Sequence, residues 1–331
     1  MMAMEDGPRV ADVGEFGLIG RICAALSPLP GVLVGPGDDT ALIAAPDGRV
    51  AITTDMLVEG THFRRDWSSA QDVGHKAAAA SLADIAAMGA VPTAIVVAFG
   101  TPGDLPLSWV MDCSGALSEE AARGGAALVG GDVVSAAQVI VSVTAIGDLG
   151  GRSPVLRSGA RAGDVLAIAG RIGWSAAGLA LLQAGLDAPA EAIAAHRRPQ
   201  PPYAAGPAAA LAGATAMIDV SDGLVADARH VAESSGVTLA LDTTLLVAAP
   251  AIRQAANVLE GDARAWMLQG GEDHALLAAF PEGTTLPDPF VPIGRVCAID
   301  AGGPSVTVDG EPWEQGGGFD HFAGKGGPTE S

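Results

Sequence analysis

Between Lys76 and Met88 the chain reads KAAAASLADIAAM, a helix-forming run that is apolar around nearly its whole circumference and carries one internal carboxylate, Asp84. A helix without a polar face has to be buried, either in a membrane or inside a layered core. No uncharged apolar stretch of about 18 residues occurs in the chain, so the membrane-spanning reading fails and the helix needs layers packed around it. Short apolar runs at 50–54, 94–99, 138–146, 164–169, 216–218 and 275–279 alternate with Ala-rich helical runs at 71–88, 116–126, 175–184, 204–211 and 224–234. That alternation predicts an α/β chain of α+β layers.

At 331 residues the chain is long enough for two domains of about 100–200 residues each. The cluster of turn formers GDLGGRSP at 147–154 follows a predicted strand and is the best boundary. It predicts an N-terminal domain over 1–151, a C-terminal α/β domain over 152–324, and a disordered Gly-rich tail over 325–331. With 18 basic against 38 acidic residues and a net charge of −20, the chain lacks the basic footprint that nucleic acid or an anionic membrane requires. Cys23, Cys113 and Cys297 are odd in number and far apart, which argues against a disulfide framework or a CxxC zinc site. They are expected to be small core residues in a reducing compartment. The start, MMAMEDGPRV, has no basic region before an apolar core, so the expected location is the cytoplasm.

Most acidic side chains lie on solvated faces, so those that end apolar strands or interrupt apolar helices are the informative ones. A buried Asp84 has to be paired, hydrogen-bonded or metal-bound; Lys76 and Ser81 on the same helix are alternative partners that the residues alone leave open. Comparable carboxylates recur elsewhere. GPGDD at 35–39 holds Asp38 in a Gly/Pro turn, and TTD at 53–55 is read as closing a strand with Thr53, Thr54 and Asp55. GGD at 130–132 follows an apolar run with Gly131 and Asp132, and DVSD at 219–222 joins a strand to a helix with Asp219, Ser221 and Asp222. Singly, each fits a turn or a helix N-cap. Together they form the oxygen-rich set that Mg²⁺ uses, with phosphate oxygens completing its shell.

A phosphate site in this chain has little lysine to draw on, since Lys76 and Lys325 are the only two. There is no GxxxxGKS/T, and Gly35 and Gly37 lack the third glycine of a dinucleotide fingerprint, which excludes the standard nucleotide folds. Metal ions would offset the phosphate charge instead, helped by arginine and by backbone N–H groups at Gly131 or after Ser221. Arg157 is the candidate arginine, with a solvated loop residue as the alternative. His62 follows the TTD strand closely enough to reach the same cleft, with an incidental loop histidine as the alternative, and GGEDH at 270–274 is a further acidic turn that is a candidate ligand. No GxSxG, HExxH or Cys/His pairing points to another chemistry.

In order, GEF (14–16), GPGDD, TTDMLVEGTHF (53–63), LADIAAMGA (82–90), LVGGD (128–132), LRSGARAGD (156–164), IDVSDGL (218–224), GGED and GFDHF (318–322) resemble the thiamine-monophosphate kinase family. That family lies within the superfamily of aminoimidazole-ribonucleotide synthetase-like ATP enzymes. The resemblance implies a two-domain fold whose N-terminal sheet domain binds metal and ATP and pairs with a second subunit. It implies that Asp38, Thr53, Thr54, Asp55, Asp84, Asp132, Asp219 and Asp222 hold several Mg²⁺ ions. Gly131, Asp132, Arg157 and Ser221 would contact ATP, and His62, Glu272 and Phe319 would contact thiamine monophosphate. The implied reaction moves the γ-phosphoryl of ATP to the phosphate of thiamine monophosphate, giving thiamine diphosphate and ADP, the last step of thiamine diphosphate biosynthesis. No residue stands out as a general base. This chain has His274 where the family often has Tyr, and Phe319 where it often has Tyr or Trp.

Other superfamily members fit less well. A selenophosphate synthetase needs a Cys or selenocysteine with a nearby Lys at the N-terminus, and the hydrogenase-maturation dehydratase needs a C-terminal Cys; neither is present. A purine cyclo-ligase and a non-enzymatic cation- or nucleotide-binding regulator with the same carboxylates remain as alternatives, distinguished by ATP turnover with thiamine monophosphate.

Overall fold

The computed structural model describes residues 8–26, 30–34, 41–299 and 302–313, without the side chains of 14–16 and 34. Asp38, Phe319 and the tail over 325–331 lie outside the described residues. The first half runs α1 (Val10–Ala25), β1 (Val32–Val34), β2 (Leu42–Ile43), β3 (Ala51–Val58), α2 (Ala70–Ala87), β4 (Val91–Thr101), α3 (Leu107–Gly124), β5 (Ala127–Ser135) and β6 (Ile140–Asp148). The second half runs β7 (Val165–Ala169), α4 (Trp174–Gln183), α5 (Ala190–Arg197), α6 (Ala205–Leu211), β8 (Ala216–Val220) and α7 (Leu224–Ser235). It continues with β9 (Thr238–Leu241), α8 (Pro250–Leu259), α9 (Ala263–Gln269), β10 (Ala275–Phe280), β11 (Val291–Cys297), β12 (Ser305–Val308) and β13 (Glu311–Pro312).

The strands form a four-stranded sheet in the order β3-β6-β4-β5, a seven-stranded sheet in the order β13-β12-β9-β11-β7-β10-β8, and the small pair β1-β2. Both larger sheets mix antiparallel ladders with one parallel pair, β4 with β5 and β12 with β9. The expected α/β layering is therefore present.

Helix α2 lies between the two larger sheets, against β3, β4 and β6 on one side and β8 and β10 on the other. That position accounts for a helix apolar on all sides. Leu82 and Ile85 are fully buried in a core that also holds Val97, Val143, Met217, Leu276 and Phe280; burial of each contributes about 1.5–3 kcal/mol. The helix starts in a capping box, with Asp72 N–H donating to Ser69 Oγ and Ser69 N–H donating to the Asp72 carboxylate. Among the described residues no helix is long and apolar enough to cross a membrane. The cysteines are free; Cys113 is a core residue as expected, whereas Cys23 and Cys297 are half-buried.

Several elements run longer than the sequence predicts. Asp55 does not close β3, which continues to Val58 because the alternation carries on and buries Leu57. The GGD segment lies inside β5 and not after it. Paired in parallel with β4 at the edge of its sheet, Gly131 approaches so closely that a Cβ would stand 2.1 Å from the Val97 carbonyl oxygen. The helix expected over 116–126 begins at Leu107 after Pro106, and its added turns bury Leu107, Val110 and Cys113.

Candidate functional site

The period of two along β3 sorts its residues onto two faces. Thr53 and Asp55 point at α2: Thr53 Oγ1 donates to Asp84 Oδ2 at 2.7 Å, and Ser81 Oγ donates to Asp55 Oδ2 at 2.9 Å. Strand β8 brings the buried Asp219 in from the second sheet. Burial, then the Asp219 and Asp55 charges, push Asp84 up to about 7. Neither alternative partner on the helix holds Asp84. Ser81 serves Asp55, and Lys76, two turns away, pairs with Glu272 at 3.0 Å.

After β8 the chain turns through Ser221 and Asp222 into α7, and Asp227 reaches back from the first turn of that helix to accept from the N–H groups of Asp222 and Gly223 at 3.0 and 3.1 Å. Burial, then Asp219, lifts Asp227 to about 7. The GGEDH turn packs against this loop, with Glu272 N–H donating to the Ser221 carbonyl at 2.7 Å. Gly271 is required by proximity, since a Cβ there would lie 2.4 Å from that same carbonyl. Glu272 and His274 both adopt left-handed backbone, with φ of 63° and 52°, which sends three consecutive side chains to three destinations.

Glu272 reaches toward Lys76, about a third of its side chain exposed. Burial pushes its carboxyl up, but Lys76 and His196 more than offset this and leave it below the ordinary range. Asp273 turns inward and accepts from Ser175 N–H at 2.8 Å, capping α4 from outside the helix. Its Oδ2 is buried without a partner among the described residues, and burial lifts the group to about 7. His274 Nδ1 lies 3.2 Å from Asp219 Oδ2. Burial pulls that histidine down, but the bond to Asp219 and the nearby carboxylates outweigh it, so it sits above its ordinary value.

The other candidates are placed differently. Thr54 faces outward, bonded to Val143 O and Thr144 Oγ1 on β6, and the register puts Asp132 on that same outward face in the row of Met56, Ser142 and Ala98. Gly131 and Asp132 edge a cavity of about 770 Å³ whose other walls are apolar, among them Ile22, Leu26, Ile43, Val96 and Val129. Arg157 is exposed beside the Ala216 end of β8, its carbonyl accepting from Ser235 Oγ, whereas Asp219 lies toward the other end. His62 has its ring fixed by Val58 N–H donating to Nδ1 at 3.0 Å, and its carbonyl accepts from Lys76 at 3.3 Å. His196 and Asp227, which the sequence does not single out, belong to this centre, and Lys76, Asp273 and His274 enter it through Glu272, Ser175 and Asp219. A lone lysine in an otherwise apolar helix was the one available signal.

Among the described residues no three His, Cys, Asp or Glu side chains form a ready-made metal cage. The residues nevertheless fit Mg²⁺, which keeps several waters and leans on substrate phosphates instead of an all-protein shell. Burial first, then the Asp219 and Asp55 charges, disfavour the ionised form of Asp84, and a cation beside it would offset both effects.

Residues 37–149 match the family model of the AIR synthase related protein, N-terminal domain. The chain is 51% identical over 319 residues to the thiamine-monophosphate kinase of Mycobacterium tuberculosis, covering 96% of this chain and 94% of that protein. It is similar to the crystal structure of thiamine-monophosphate kinase from Stenotrophomonas maltophilia K279a, with a TM-score of 0.79, 32% identity, and coverage of 91% and 98% of the two chains. It is also similar to AaThiL complexed with AMPPCP and TMP, with a TM-score of 0.76, 31% identity, and coverage of 96% and 100%.

Proposed function

This chain belongs to the thiamine-monophosphate kinase family, and we infer that it transfers the γ-phosphoryl group of ATP to thiamine monophosphate, forming thiamine diphosphate and ADP. The observation that carries the reading is the convergence of Asp55, Asp84 and Asp219, from β3, α2 and β8, beside the DVSDG and GGEDH turns. The acceptor is itself a phosphate, already ionised near neutral pH, so the transfer needs in-line placement and charge neutralisation in place of a strong general base.

Magnesium, when bound, would neutralise the ATP phosphates and the transferring phosphoryl group. Thr53, Asp55, Asp84, Asp219 and Asp222 are suited to hold it on the inner side of the sheet, and the resemblance adds Asp38, Thr54 and Asp132. The two-sided placement of these residues supports more than one ion. Asp132 and Gly131 border the 770 Å³ cavity, whose apolar walls suit an adenine ring and whose Gly131 edge lets backbone approach phosphate. Ser221 and Arg157 complete the ATP contacts in this reading. His62 and Glu272 face the thiamine monophosphate side, with Phe319 assigned there by resemblance.

We place the domain boundary at 151/152 and the enzyme in the cytoplasm as a homodimer. Supporting the dimer, Ile52, Met56 and Val134 are 67%, 53% and 54% exposed on the outward face of the four-stranded sheet, an apolar surface of the kind that self-association covers. Incubation of the purified chain with ATP, Mg²⁺ and thiamine monophosphate, with chromatographic detection of thiamine diphosphate and ADP, tests the activity. ADP without thiamine diphosphate, or neither product, would refute it.

A further inference from the structure

Lys76 is buried inside α2, its side chain only 4% exposed. Its ammonium reaches Glu272 Oε1 at 3.0 Å and donates to the His62 carbonyl at 3.3 Å. One partner comes from the connection after β3 and the other from the turn before β10, so a single side chain ties together both described residues assigned to the phosphate acceptor. Neither partner is held by regular structure. Glu272 is in left-handed backbone, a conformation that persists in a non-glycine residue only where its surroundings impose it. His62 lies in the turns between β3 and α2.

His196 is the other group near Glu272, but at 3.6 Å it is beyond hydrogen-bond reach of Oε2, and its Nδ1 is engaged with Ser175 Oγ at 2.9 Å. Burial, then the Lys76 charge, holds His196 down to about 4, which disfavours its charged form. Of the two, Lys76 is the one within hydrogen-bond distance of the Glu272 carboxylate. It occupies Oε1 and leaves the Oε2 side of a partly exposed carboxylate for a ligand.

We propose that Lys76 is a positioning residue for the phosphate acceptor: it fixes the Glu272 carboxylate and the His62 segment in one geometry and so sets the affinity for thiamine monophosphate and not for ATP. The inference rests on the reading that Glu272 faces that substrate.

Saturation kinetics for both substrates on Lys76→Met, Lys76→Arg, Glu272→Gln and the Met/Gln double variant, each with a melting scan, test it. Lys76→Met and Glu272→Gln are each expected to raise KM for thiamine monophosphate about tenfold, with KM for ATP within about twofold of wild type. The double variant should be no more than about twofold worse than the poorer single, because one residue acts through the other, and Lys76→Arg should return to within about threefold of wild type. Should Lys76→Met fail to fold, Lys76→Gln takes its place with the same expectation. Parallel rises in both KM values with a lower melting point would reduce Lys76 to a structural residue and overturn the proposal, as would single effects that multiply in the double variant. If Glu272→Gln weakens thiamine monophosphate and Lys76→Met does not, the proposal falls while the substrate reading stands. An unchanged KM in Glu272→Gln would overturn the substrate reading itself, and the proposal with it.

Discussion

Asp84→Asn separates a metal-binding carboxylate from a structural one, and the structure sets the sign of each effect. Burial, then Asp219, then Asp55 raise Asp84 from 3.8 to about 7. A carboxyl with a higher pKa folded than unfolded binds its proton more tightly in the folded state. It therefore favours folding at low pH, and that contribution is lost as pH rises from about 4 through about 7. Above this range the metal-free protein carries the repulsion among the three carboxylates. At about 1.4 kcal/mol per pH unit a shift of this size corresponds to roughly 4 kcal/mol, and about half of that is a reasonable figure for a partly solvated group sharing its repulsion with two others. Asparagine removes the charge and keeps an acceptor for Thr53 Oγ1. In EDTA at pH 8 the variant is expected to melt at or above wild type, by up to about 4 °C. In Mg²⁺ the wild type should gain stability and the variant should not, and turnover of the variant should fall about 100-fold or more. Calorimetry with and without Mg²⁺, run beside kcat, provides the comparison. A variant that melts lower in EDTA yet turns over within about threefold of wild type would refute the reasoning.

With Mg-ATP held constant, activity should keep rising with free Mg²⁺; a flat response across the millimolar range would count against a multi-ion site. Asp273→Ala uncaps α4 by removing the acceptor for Ser175 N–H, so the urea midpoint should drop by the equivalent of about 1–2 kcal/mol, and an unchanged midpoint would show the cap carries no weight. Ile52→Asp places a charge on the outward apolar face and is expected to yield monomer by light scattering; a persistent dimer would move the interface elsewhere. Phe319→Ala should raise KM for thiamine monophosphate about 5- to 30-fold with KM for ATP unchanged, whereas parallel rises with a lower melting point would make Phe319 a core anchor.

The parts of the fold legible in the sequence are those set by local pattern. The all-round apolar character of α2 signalled burial, and the structure supplies the two sheets that bury it. What was misread depended on partners distant in sequence. Asp55 looked like a strand end because polar residues usually mark one, yet β3 continues since Asp55 has Ser81 to accept from and Leu57 to bury beyond it. Gly130 and Gly131 looked like a loop because glycine weakens strands; in β5 the neighbouring β4 backbone leaves no room for a side chain at Gly131. The helix expected over 116–126 lacked the first turns of α3, which start directly after Pro106, a residue suited to a helix start.

The site divides along the same line. Residue type and spacing exposed the carboxylates, since a charge in an apolar run is visible without coordinates. The groups that orient them were not visible, because each acts across a long separation: Lys76 on Glu272, Asp273 on α4, His274 on Asp219. Glu272, Asp273 and His274 share one turn, in which left-handed backbone at Glu272 and His274 is maintained by the contacts on either side. A turn so constrained cannot shift Glu272 without also shifting His274, two residues on. On the roles proposed above, the acceptor-side Glu272 and the metal-side Asp219, which His274 contacts, would be set by one piece of backbone, and a backbone change in this turn would be expected to alter acceptor KM and kcat together.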